Sequence, residues 1–199
     1  MPEPEHLVEL MEHSFRQPEV VSTSLERPPW SQRVFSFVHP RWMLADFIER
    51  LRGLAPRLDL LLANVTEDQA HRQVGGKWSI AQNVGHLSDV EELWQERLED
   101  LRQGKKVCTP AVPARFQELA LRHQKQDVRN VLAELATRRA RLVEEMSKAP
   151  PDLQSASAFH ERLKVSMRLV DCAQFYAEHD DHHCLRIRAL RSTLGLDAG

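Results

Sequence analysis

The sequence predicts an all-α protein, a four-helix bundle preceded by a short N-terminal extension. Apolar residues recur at three- and four-residue steps over four long stretches, the spacing of one helical face. Seven glycines and few alternating β-branched runs leave little material for a sheet. Glycines and prolines punctuate the ends of those stretches, where helices stop.

Residues 1–38 form the extension: a short amphipathic helix around Leu7, Leu10, Met11 and Phe15, then a proline-containing segment without periodicity. The bundle domain takes residues 39–199. After His39-Pro40, the residues Leu44, Phe47, Ile48, Leu51, Leu54, Leu58, Leu61, Leu62 and Val65 mark a first long helix. It is bent where Gly53 and Pro56 interrupt the backbone ladder. Residues 66–77 read as a connection ending at Gly75-Gly76. Ser79 with Gln82 three residues later is a capping box, opening a second helix whose stripe is Ile80, Val84, Leu87, Val90, Trp94, Leu98 and Leu101. Gly104 ends it, and Pro110 and Pro113 mark a linker. A third long helix is expected over 116–148 through Ala120, Val128, Val131, Leu135, Leu142 and Met146, stopped by Pro150-Pro151. A polar stretch leads to a fourth, from Leu169 to Leu194. Four such helices joined by moderate loops give an antiparallel or crossover bundle.

Bulk properties exclude several classes. A chain of 199 residues, 42% hydrophobic and 28% charged, suits one soluble domain with a terminal extension. A net charge of −2 gives no general attraction to nucleic acid or anionic membrane. The basic runs Arg138-Arg139-Ala140-Arg141 and Arg186-Ile187-Arg188 read as solvated helix faces. No apolar run is long enough to span a bilayer and no signal-peptide pattern opens the chain. Cys108, Cys172 and Cys184 are odd in number and widely spaced, so they make no disulfide framework, and a reducing cytoplasm is the expected location.

The chemistry is concentrated in His179-Asp180-Asp181-His182-His183. Residues i and i+4 share a helix face with roughly 5–6 Å between Cβ atoms, so His179 and His183 can offer nitrogens to one cation. At about 100° per residue both fall in the middle of the fourth helix's apolar stripe, while His182 points away from it. Burying two imidazoles costs desolvation free energy that a shared metal would offset. On the second helix His86 lies on the flank of the stripe, beside Val90 and Leu93, where a neighbouring helix would pack. His86, His179 and His183 together would make a tripod for Zn²⁺, Ni²⁺ or Fe²⁺ with room for water or substrate. The alternative is a set of hydrogen-bonded packing histidines. Among nearby acids, Asp180 reads as a hydrogen-bond partner behind the site or a surface charge, and Glu91 as a buried structural carboxylate. Both are weak candidates for catalysis. Gln124 and Asp127 would line the cavity or be solvated, and Cys184 would be packed rather than ligating.

The run Lys77-Trp78-Ser79-Ile80-Ala81-Gln82-Asn83-Val84-Gly85-His86-Leu87 with Glu91 resembles the helix-two signature of the DinB/YfiT-like superfamily. Phe175-Tyr176-Ala177-Glu178-His179-Asp180-Asp181-His182-His183, followed by Leu185-Arg186-Ile187-Arg188, resembles its helix-four signature. The similarity covers about residues 41–195. It implies an up-down-down-up bundle and a divalent metal held at His86, His179 and His183. It also implies hydrolysis, or transfer to a low-molecular-weight thiol such as bacillithiol, mycothiol or glutathione, with a small molecule as substrate. Homodimerisation follows only by analogy. The competing reading is a non-catalytic helical interaction module with a structural metal or none. DNA binding finds no basic stripe with interleaved aromatics to support it.

Overall fold

The computed structural model describes residues 28–196. The short helix expected around Leu7, Leu10, Met11 and Phe15 lies outside them. Single turns of 3₁₀ helix occur at Trp30–Gln32 and Arg41–Met43. The helices are α1 (Leu44–Arg52), α2 (Leu54–Leu62), α3 (Glu67–His71), α4 (Ile80–Arg102), α5 (Pro113–His123), α6 (Val128–Ser147), α7 (Pro151–Ser155) and α8 (Leu169–Thr193). Two strands, β1 (Ser157–His160) and β2 (Val165–Arg168), pair antiparallel just before α8.

The expected bend in the first helix is a break at Gly53 between α1 and α2; Pro56, three residues on, cannot donate to the ladder. Three expectations need correction. The connection 66–77 contains α3, which Thr66 and Gln69 start with a capping box of their own. The third helix over 116–148 is two helices, because the Asp127 side chain accepts from Asn130 N and starts α6 as an N-cap. Asp127 therefore caps a helix and does not line a cavity. The polar stretch before α8 holds a hairpin, which four-residue strands reveal too weakly for alternation to register. The capping box at Ser79 and Gln82 forms as expected, and Gly104, with φ of 66°, follows the end of α4.

Side-chain pairs across the bundle fix its topology. Arg139 reaches Leu51 O while Arg129 reaches Asp59 and Leu62 O, so α1–α2 runs antiparallel to α6. Arg50 meets Glu178, Arg57 meets Asp181 and Arg191 meets Leu61 O, so α1–α2 runs parallel to α8. Asn83 pairs with His183, and Trp94 stacks on Tyr176, so α4 opposes α8. Arg138 reaches Ser88 O and Arg102 reaches Glu145, so α4 lies parallel to α6. The path is up-down-down-up, and parallel packing of the consecutive helices α4 and α6 obliges the chain to cross over between them. The core around Leu54, Leu58, Leu62, Ile80, Val84, Leu87, Val131, Leu135 and Ile187 draws on all four long segments. Each such side chain contributes about 1.5–3 kcal/mol by leaving water.

The crossover is held down by α5, which lies against α4. Gln82 donates to Ala120 O, and Gln124 donates to Ser79 Oγ and Gln82 Oε1. Gln124 thus ties the crossover to the start of α4. Nearby, His123 is buried against the Gly85 backbone and contacts Asp89 at 2.9 Å. A Cβ at Gly85 would fall 2.1 Å from His123 Cγ, far inside contact distance. Alanine is ordinarily about 1 kcal/mol better than glycine inside a helix, yet overpacking costs about 1–3 kcal/mol. Gly85→Ala is therefore expected to destabilise the protein by about 1–2 kcal/mol, and His123→Ala in the same chain to relieve that clash. Urea midpoints of the two single variants and the double variant check this; a more stable Gly85→Ala protein overturns it.

Candidate metal centre

Antiparallel packing of α4 on α8 brings His86 against the pair His179 and His183. The ligand atoms of the three residues all lie within 4.8 Å of one another, and all three side chains are buried. His86 Nε2 and His179 Nε2 are 3.3 Å apart. Two nitrogens bound at about 2.0–2.1 Å to a tetrahedral zinc would be separated by about 3.3–3.4 Å, so this spacing already suits a shared cation. The walls are aromatic: Trp78 and Phe116 lie 5.0 and 5.1 Å from the His86 ring, and Trp94 meets His179 edge-on at 5.6 Å.

Asn83 sets the tautomer of one imidazole. Its Nδ2 donates to Ser79 O at 2.8 Å and to Trp78 O at 3.3 Å, which leaves Oδ1 as an acceptor. His183 Nδ1 must then donate to that oxygen, 2.9 Å away, and His183 Nε2 keeps its lone pair for a cation. Desolvation lowers the pKa of His86 to about 4 and holds those of His179 and His183 well below the ordinary value. Three neutral imidazoles are the protonation state that a divalent metal requires. The donor set therefore fits a divalent cation. Asn83→Ala is expected to weaken metal affinity by about 10–100-fold without unfolding the bundle. Metal titration followed by calorimetry checks this, and unchanged affinity would remove Asn83 from the site.

The two acids near the histidines share one partner. Arg139 is buried among α4, α6 and α8. It donates through Nε to Glu91 Oε1 at 2.8 Å, and through Nη1 to Asp180 Oδ2 at 2.5 Å and Leu51 O at 3.2 Å; Nη2 contacts both carboxylates. Burial pushes both carboxyl pKa values up, and the guanidinium pulls against it. Desolvation opposes the charge on Arg139, but the two carboxylates outweigh it and raise its pKa. Glu91 is buried and paired with Arg139. Asp180 is buried against Arg139 and not on the surface. The reading of Arg138-Arg139-Ala140-Arg141 as a solvated face is wrong for Arg139, which lies four residues after Leu135 and three before Leu142 on the apolar stripe. That spacing was the available signal. Asn83 carried one too, three residues before His86 and so on the same helical side. His182 is half-buried with its ring 5.1 Å from that of His183, and Cys184 packs partly against the core.

Comparison with known proteins places this geometry. The model of the DinB superfamily matches residues 50–187. The chain belongs to the DinB superfamily. Among solved structures this DinB protein is similar to YfiT from Bacillus subtilis, described as a probable metal-dependent hydrolase with an unusual four-helix bundle topology. That likeness has a TM-score of 0.71 at 19% identity and covers 85% of this chain and 94% of the other. A mycothiol-dependent maleylpyruvate isomerase is similar with a TM-score of 0.60 at 11% identity, over 71% of this chain and 59% of that one. A Streptococcus pneumoniae protein gives 0.58 at 11% identity, over 80% and 93%. At these identities the likenesses establish the fold. No curated protein matches the DinB chain. Among the described residues, no helix is long and apolar enough to cross a membrane.

Proposed function

We propose that this DinB protein is a cytoplasmic metal-dependent enzyme acting on a small molecule, with His86, His179 and His183 as ligands of a divalent zinc, nickel or iron ion. The observation that carries the reading is the buried group of three imidazoles within 4.8 Å, one of them fixed in its tautomer by Asn83. Three protein ligands leave a position for water or substrate, the arrangement of catalytic rather than closed sites. When bound, the cation supplies Lewis acidity and eases deprotonation of a water or a thiol.

The chain's own thiols are poor nucleophiles. Burial pushes Cys172 up to about 12 and Cys184 up to about 11, and it also raises Cys108. This favours a nucleophile from outside, water or a low-molecular-weight thiol. The descriptions of YfiT as a hydrolase and of the isomerase as mycothiol-dependent support these two choices. The test is metal analysis of the purified protein, together with hydrolysis of a nitrophenyl ester and thiol conjugation to a chlorodinitrobenzene. The expected result is close to one divalent ion per chain and one of the two reactions lost on chelation. Metal-free protein from replete medium, or metal-loaded protein inert in both assays, overturns the proposal.

A further inference from the structure

Two side chains on α4, Trp94 and Arg97, are buried with hydrogen-bond donors unused. Arg97 is 3% exposed, and its one hydrogen bond runs from Nε to Thr109 O at 2.9 Å. It makes no ion pair among the described residues. Asp100, three residues further along α4, directs its oxygens to Lys105 Nζ at 2.8 Å and Thr109 N at 2.6 Å. Trp94 is also 3% exposed, and its Nε1–H has no partner. The two groups share one place, since Arg97 Cζ lies 5.4 Å from the Trp94 ring centroid.

That place adjoins the metal centre. The Trp94 ring stacks on Tyr176 at 4.0 Å, stands at right angles to His179 at 5.6 Å, and meets Phe175 edge-on at 6.1 Å. Arg162, in the β1–β2 turn, lies over the Phe175 ring at 5.6 Å. Burial, with the charge of Arg97 added, lowers the pKa of Arg162, and the same causes bring His160 down to about 4. Arg97 and Arg162 thus both lie at this end of the aromatic cluster. A buried guanidinium with one hydrogen bond, next to a buried indole N–H with none, is costly unless an acceptor arrives. The planar fork of arginine matches a carboxylate, and the rings of Trp94 and Phe175 offer apolar cover for the carbon body that bears it.

We propose that the Arg97 guanidinium and the Trp94 indole N–H bind a carboxylate group of the substrate next to His179, with Arg162 adding positive field. This rests on the metalloenzyme reading only in taking the bound carboxylate to be part of a substrate. The test titrates the full chain as purified with benzoate and with benzamide, which share a shape and differ in charge. Benzoate is expected to bind about tenfold tighter or more. Arg97→Gln is expected to abolish that preference. Trp94→Phe, which keeps the stacked ring and deletes the donor, is expected to weaken benzoate several-fold and serves if Arg97→Gln does not fold. His183→Ala is expected to lose metal and keep the preference. Equal binding of the two probes overturns the carboxylate site whatever the metal content. So does a preference that vanishes in His183→Ala and survives in Arg97→Gln, since benzoate would then be sitting on the metal. A retained preference in protein that never takes up metal leaves the carboxylate site standing and overturns the metalloenzyme reading alone.

Discussion

Replacing His183 with alanine is expected to lower divalent-metal affinity by more than a hundredfold and to abolish the rise in melting temperature on adding metal. The free energy of a structural zinc site is roughly 10–16 kcal/mol over four ligands, so one ligand is worth about 3 kcal/mol, a factor above a hundred. A ligand that binds only the folded state stabilises it by about 2.7 kcal/mol at a hundred times its Kd. With affinity cut by that factor, the same metal concentration gives almost none of this. The metal-free variant should stay folded, because its losses are a small cavity and the donor to Asn83 Oδ1, the latter about 1–3 kcal/mol, in a core that draws on all four long segments. Thermal melts with and without added zinc or nickel measure the effect in both proteins. If the two show the same metal-induced shift, His183 is a packing residue.

Arg139→Met is expected to destabilise the protein by about 3–5 kcal/mol, the largest loss from any single side chain considered, because it strands two carboxylates in the interior. Glu91 and Asp180 are both buried and both directed at this guanidinium. Without it they face each other uncompensated, and Leu51 O loses a donor. The loss follows from charge and not from volume, since methionine fills much of the same space. Adding Glu91→Gln and Asp180→Asn to Arg139→Met is therefore expected to recover a large part of it. Equilibrium denaturation of the single and triple variants decides the matter. A single variant within about 1 kcal/mol of the parent would show that the three residues do not act as one buried unit.

These two predictions show what sequence could and could not reveal. The histidines were legible because i, i+4 spacing and a helical wheel need only one helix, and His86 came within reach because it flanks a stripe. Arg139 was hidden by its neighbours: Arg138 and Arg141 are exposed, and a charged residue on a buried stripe is legible only when its partners on other helices are known. Asn83 was obscured in a similar way, since its function depends on two carbonyls of the preceding turn and on a ring from α8. The four long helical segments were visible in periodicity, but the break at residues 124–127 was not, because a single aspartate suffices to start a new helix. Which helices are neighbours depends on contacts that no local pattern encodes.

Parallel packing of α4 and α6 has a consequence for how such a site can diversify. The chain must return along a helix of 23 residues, about 34 Å, before α6 can begin, and α5 lies on that return path. Phe116 from this segment touches His86, and neither α5 nor its flanking loops supplies a histidine of the tripod. The three histidines and the ceiling above them are thus encoded in separate stretches of sequence. Insertions or substitutions between residues 104 and 127 can reshape the space over the three histidines while the histidines keep their places.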